Sequence, residues 1–121
     1  MRARLGFGRG ARVKQGRDFA AVRAEGRRLV YGCLIANWLP RPAAAGSRLG
    51  VVTSSKLGGA VVRNRARRLL REAFRLHQTE LTEPVDLVLI ARNSLVGKDF
   101  AGMEKDFLTT LRKAGLLKER T

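Results

Sequence analysis

Cysteine, histidine, acidic and aromatic side chains are all scarce in this chain of 121 residues, and each scarcity removes a class of chemistry. A single cysteine, Cys33, leaves no internal disulfide and no cysteine-based zinc site. It sits in an apolar run and reads as a small buried side chain. The one histidine, His77, falls at the end of a basic helical segment, where a cationic or hydrogen-bonding role in the last turn is its ordinary explanation. No nucleophile pairs with it in the sequence, and no two carboxylates have metal-ligand spacing. Asp86 lies inside an apolar strand pattern, and Asp99 is placed to cap a helix. The GxxxxGK[ST] nucleotide loop is absent. Nothing in the chain reads as a catalytic constellation.

Long apolar runs are also missing. No stretch approaches the roughly 20 residues that span a bilayer. Gly6, Gly8 and Gly10, among Arg9 and Arg12, break up any signal-peptide core, so the expected compartment is the cytoplasm.

Positive charge is what the chain has in abundance. Lysine and arginine number 25 against 10 acidic residues, for a formal charge of +15 and a pI near 11.7. With 45% hydrophobic residues the chain is a folded protein, and its length suits one domain with one core. Such an imbalance calls for a partner that supplies negative charge. Nucleic acid is the leading candidate and an anionic membrane surface the second. Arginine greatly exceeds lysine, which suits bidentate phosphate recognition. A GC-rich genome gives the same bias.

The charge is concentrated between Lys56 and Arg75, where Glu72 is the only acid. At 100° per residue, Val62, Ala66, Leu69, Leu70, Ala73 and Phe74 form one apolar stripe, the period of a helix docked on a core. Asn64, Arg68, Arg71 and Arg75 fall opposite, with Arg63 and Arg67 on one flank and Arg65 on the other. A helix that keeps so many guanidiniums on its free side is built to meet a polyanion. Gly58 and Gly59 ahead of it make a tight strand-to-helix turn; its N–H groups, with Lys56 upstream, could also hold a phosphate.

Around this helix the pattern predicts further elements. Residues 1–16, rich in Arg and Gly, read as a basic N-terminal arm. Asp18 is placed to cap a short helix over 19–25 that Gly26 stops. Strands are expected over 27–31, 33–39, 48–53 and 85–91, the third pairing with the second through the loop at 41–47. A last helix follows Asp99, with Phe100, Met103, Phe107, Leu108 and Leu111 inward and Gly115 after its end. The order gives a single α/β domain over residues 1–121, a two-layer α+β sandwich. In an alternating strand Trp38 shares a face with Leu34 and Ala36, and Asn37 shares the other with Cys33 and Ile35. Which face is open is not legible. Phe19, beside the basic arm, is either a stacking platform for single-stranded bases or an anchor for its short helix.

Lys56, Leu57, Gly58, Ala60, Val61 and Val62, followed by Arg63-Asn64-Arg65-x-Arg67-Arg68-Leu69-x-Arg71-x-Ala73-Phe74, resemble the protein subunit of bacterial ribonuclease P. The likeness extends to Arg17-Asp18-Phe19 upstream and Ile90-Ala91-Arg92 downstream, so it covers nearly the whole chain. It implies a mixed sheet of about four strands with a left-handed βαβ crossover around the long basic helix. It also implies assembly with a large catalytic RNA that, with bound Mg²⁺, removes the 5′ leader of precursor tRNA. Carried over by position, Lys56, Arg63, Asn64, Arg65, Arg67, Arg68 and Arg71 would face the RNA subunit, and Phe19 would line a leader cleft between the first helix and the sheet. Three positions depart from the family pattern. Gly59 stands where Asn is usual, and Arg23 and Asn37 stand where cleft aromatics are common. Leader binding would then lean more on charge than on stacking. The competing reading is a ribosomal or general RNA-binding protein. A DNA-recognition helix would normally follow another helix by a short turn, whereas this one follows a strand and two glycines.

Overall fold

The run Val85–Ala91 forms a strand buried at every position but Ile90, so its place is inside a sheet covered on both faces. The structure, a computed structural model, describes residues 16–118. In chain order its elements are α1 (Gly16–Glu25), β1 (Arg27–Tyr31), β2 (Leu34–Pro40), β3 (Arg48–Val52), α2 (Ala60–His77), β4 (Val85–Ala91) and α3 (Phe100–Lys113). The sheet order is β1-β2-β4-β3. β4 runs antiparallel to β2, with Ile35 opposite Ile90, and parallel to β3, with Val52 opposite Ile90.

That order corrects the expected pairing of β3 with β2, because β4 lies between them. The loop joining β2 to β3 shows why. At one end Arg41 N donates to Pro84 O at 2.9 Å; at the other, Ser47 Oγ accepts from Val85 N at 3.0 Å. Both ends of the loop are bonded to the start of β4, so the loop straddles that strand instead of closing a hairpin. β3, α2 and β4 thereby form a parallel β–α–β unit, with the basic helix as its crossover.

Alternation decides which face of each strand is core. Leu34, Ala36 and Trp38 of β2, Leu49 of β3 and Val85, Leu87, Leu89 and Ala91 of β4 join Ala66, Leu70, Ala73 and Phe74 of α2 and Met103, Phe107 and Leu111 of α3. The sheet and these two helices make the two-layer sandwich. The apolar stripe read from α2 is its buried side, with Leu70 fully buried and Leu69 packed at the rim. Asp99 caps α3 as expected, its side chain accepting from Gly102 N at 2.8 Å.

α1 lies on the other face, packed mainly on β2 and touching β4 and β1. It buries only Val22 fully, and Val22 and Val88 stand outside the main core. Its start differs from expectation. The helix begins at Gly16, so Asp18 sits in its first turn and is not its cap. Of the expected 1–16 arm, all but Gly16 lies outside the described residues. Gly26 does end α1, for a steric reason: a Cβ there would lie 2.4 Å from both Trp38 O and Val22 O. Only glycine lets the helix end approach β2 so closely.

Candidate nucleic-acid interface

The basic helix is aimed by the junction that precedes it. After β3 the chain makes a short 3-10 turn, Ser55–Leu57, in which Ser54 Oγ accepts from Lys56 N at 3.0 Å and Leu57 is buried. Lys56 is left exposed at the turn. Gly58 then adopts φ +143°, in a region that favours glycine, and a Cβ there would press on Val62 at 3.2 Å. Gly59 begins α2 without a side-chain cap, and a Cβ on it would meet nothing within 4 Å. Packing therefore does not require glycine at 59.

On the free side of α2, Asn64, Arg67, Arg68 and Arg71 line one open groove of about 340 Å³ that continues to Glu72 and Arg75. The grouping of the first four matches the helical spacing. Arg75 does not join them as a lone cation. It forms a two-point ion pair with Glu72, at 2.9 and 2.7 Å, and that hydrogen bonding holds the Glu72 carboxyl below its usual range. Neighbouring side chains are fixed by the fold. Arg67 donates to Thr53 Oγ1 at the end of β3 and to Asn64 Oδ1. Arg65 reaches Lys98 O at 2.6 Å, tying α2 to the loop before α3. Arg63 lies half-buried on its flank with its Nε buried and unpartnered among the described residues. The groove thus presents Arg68 outward and Arg67 braced, an array of guanidinium donors with its geometry partly set in advance.

The second candidate surface is the sheet face beneath α1. Phe19 is half-buried and Arg23 exposed on that helix. Trp38 is on the core side, so Asn37 faces α1, and its buried Oδ1 has no partner among the described residues. Beside α1, Val30, Ile35, Ile90 and Val52 stand opposite one another in register and cross all four strands as one apolar row. Its two ends are open, Val30 at 47% and Val52 at 36% exposure. The sequence did not reveal this row, because the strand order that aligns it was not legible.

A charge network missed from sequence anchors α1 over this face. Arg48 on β3 grips Asp86 of β4 through two hydrogen bonds of 2.8 Å and reaches Asp18 of α1 at 3.6 Å, while Arg41 adds a longer ion pair of 3.5 Å to Asp86. An acid inside the apolar run Val85–Ala91 was the available signal, since a buried carboxylate requires a partner.

Two further titratable groups, His77 and Cys33, are engaged within the fold. The His77 ring hydrogen-bonds the Glu80 carboxylate through Nδ1 at 2.8 Å and the Glu104 carboxylate through Nε2 at 2.7 Å, clasping α2 to α3. Burial pushes the Cys33 thiol up to about 12, with the nearby Asp106 carboxylate adding to it. Among the described residues no group of three or more His, Cys, Asp or Glu side chains could hold a metal ion, and no helix is long and apolar enough to cross a membrane.

Known proteins resemble this chain in sequence and in fold. A family model described as Ribonuclease P matches residues 7–115. The ribonuclease P protein component of Gluconacetobacter diazotrophicus is 42% identical over 111 residues, covering 89% of this chain and 94% of its own. That of Syntrophomonas wolfei is 38% identical over 106 residues, 88% of each. Among solved structures, the ribonuclease P protein of Thermotoga maritima superposes with a TM-score of 0.76 at 29% identity, over 84% of this chain and 96% of its own. A mutant Staphylococcus aureus ribonuclease P protein superposes with a TM-score of 0.81 at 25% identity, over 88% and 90%.

Proposed function

This chain belongs to the ribonuclease P protein family, and from that footing we propose that it is the protein subunit of ribonuclease P, assisting removal of the 5′ leader from precursor tRNA. Its partners are a large catalytic RNA and the precursor tRNA, and its compartment is the cytoplasm. The observation that carries the reading is the α2 groove. Asn64, Arg67, Arg68 and Arg71 line it on the free side of a helix whose other side is core. These residues, with Arg63, Arg65 and the exposed Lys56 on the preceding turn, meet the phosphates of the RNA subunit. The family match favours this over a ribosomal or general RNA-binding protein.

The leader lies in the cleft between α1 and the sheet. Phe19 offers a partly open ring for a base, Arg23 a cation for its phosphates, and Asn37 a polar group under α1. The apolar row from Val52 to Val30 forms the floor. Hydrolysis is assigned to the RNA. The Mg²⁺ for that hydrolysis is held mainly by the RNA. What the protein supplies is binding and orientation: charge neutralisation where RNA strands converge, and a grip on the leader that mature tRNA lacks.

Reconstitution tests this. RNA-free protein should leave precursor tRNA uncut in Mg²⁺, and should sharply improve cleavage by the cognate RNA at low salt. Site-specific cleavage by protein stripped of RNA would contradict the assignment.

A further inference from the structure

α1 is a ten-residue helix, too short to be stable by itself, so contacts with the sheet hold it in place. Packing supplies little of that hold, since among its described side chains only Val22 is fully buried. At the C-terminal end, the close approach of Gly26 to Trp38 O seats the helix on β2. At the N-terminal end the constraint is ionic. Arg48 places Nε and Nη2 on Asp86 at 2.8 Å each, which leaves Nη1 for Asp18, at 3.6 Å.

Arg48 is not free to follow the helix. Its Asp86 partner is buried on β4, only 7% exposed, and a buried carboxylate holds its counter-charge firmly. The guanidinium is thus a fixed post on the sheet, and Asp18 is the movable half of the contact. At 3.6 Å that contact is a charge attraction and not a hydrogen bond. Asp18 and Val22, four residues apart, lie on one side of the helix, and Phe19 follows Asp18 directly in the chain. The height of the first turn at Asp18 therefore sets the height of the Phe19 ring above the sheet.

We propose that Asp18 is a positioning residue for the leader: through Arg48 it holds the first turn of α1 down and so places Phe19 at the cleft. This rests on the leader reading above and extends it from the groups that touch RNA to the one that places them. The sign of its effect separates it from simple charge. By charge alone, removing a carboxylate beside a polyanion strengthens binding. Removing the latch weakens it.

The test is holoenzyme affinity for leader-bearing and mature tRNA with Asp18→Asn, alone and combined with Phe19→Ala. The amide keeps the shape of the side chain and leaves the Arg48–Asp86 pair intact. Precursor affinity should fall by about two- to fivefold, the range of a partly exposed ion pair, while mature tRNA binds as in the wild type. Asp18→Glu, which keeps the charge, should restore most of the loss. In the Phe19→Ala background the effect of Asp18→Asn should vanish, because a latch that acts through the ring has nothing left to place. Precursor affinity that rises or stays level in Asp18→Asn overturns the proposal. So does an equal loss for mature tRNA, or a loss that persists in full without the Phe19 ring. Phe19→Ala alone separates the two readings. If it leaves precursor selectivity unchanged, the cleft assignment fails and the latch with it; if it lowers selectivity while Asp18→Asn does not, only the latch fails.

Discussion

His77 shows how much a single side chain does here without chemistry. Its ring bridges Glu80 and Glu104, so it joins the end of α2 to α3. Burial works against the charged ring, but hydrogen bonds to Glu104 and Glu80 outweigh it and raise the pKa above the ordinary value of 6.5. A raised folded-state pKa means that stability is fully present below the unfolded value and is lost as pH rises through the folded one. The melting temperature should therefore fall as pH climbs from about 6 upward, and His77→Gln should flatten that dependence, as followed by thermal melts across pH. A wild-type melting temperature that rises over the same range contradicts the clasp. Placement of His77 at the last turn was legible from its sequence position. Its partners were not, because Glu104 is brought by another helix. The same holds for Arg48 and Asp86: the need for a partner could be read from an acid in an apolar strand, but its identity depended on the parallel register of β3 and β4.

At the scale of elements, α2 has an apolar face and a cationic face, and substitutions should separate packing from the proposed RNA binding. Arg68→Ala and Arg71→Ala lie off the apolar stripe and should leave the melting temperature nearly unchanged. Each should flatten the salt dependence of binding to the RNA subunit by about 0.9 units of slope for every duplex phosphate left without its cation. Leu70→Ala, at a fully buried position, should cost about 2–5 kcal/mol of stability. Denaturant unfolding beside RNA titrations checks both; unfolding by the arginine variants would mean the faces are misassigned. The helix and its faces were legible because eighteen residues of regular period leave little freedom. The partner of β3 was not legible. Chain proximity favours β2, and only the two bonds from the 41–47 loop to the start of β4 reveal the insertion. α1 misled at its first turn for a similar reason. Asp18 looked like a cap because it precedes an apolar pair, whereas its carboxylate is directed to Arg48 across the sheet.

Over the whole molecule, charge is distributed by layer. The carboxylates that the described chain spends on internal pairs hold the fold together: Asp18 and Asp86 at the α1 face, Glu72 on α2, Glu80 and Glu104 between α2 and α3. What remains outward is mostly arginine and lysine, densest on α2, while α1 and the apolar row lie on the opposite face of the sheet. On the proposed function the RNA subunit and the leader use separate surfaces, so the two affinities should be separable. The most direct measurement is holoenzyme binding of leader-bearing and mature tRNA by the Phe19→Ala variant, with its thermal melt. A stacked base is worth about 1–3 kcal/mol. Precursor affinity should therefore fall by about one to two powers of ten, while affinity for mature tRNA and assembly with the RNA subunit stay as in the wild type. Equal losses for precursor and mature tRNA, together with a lowered melting temperature, would contradict the account and make Phe19 a packing residue.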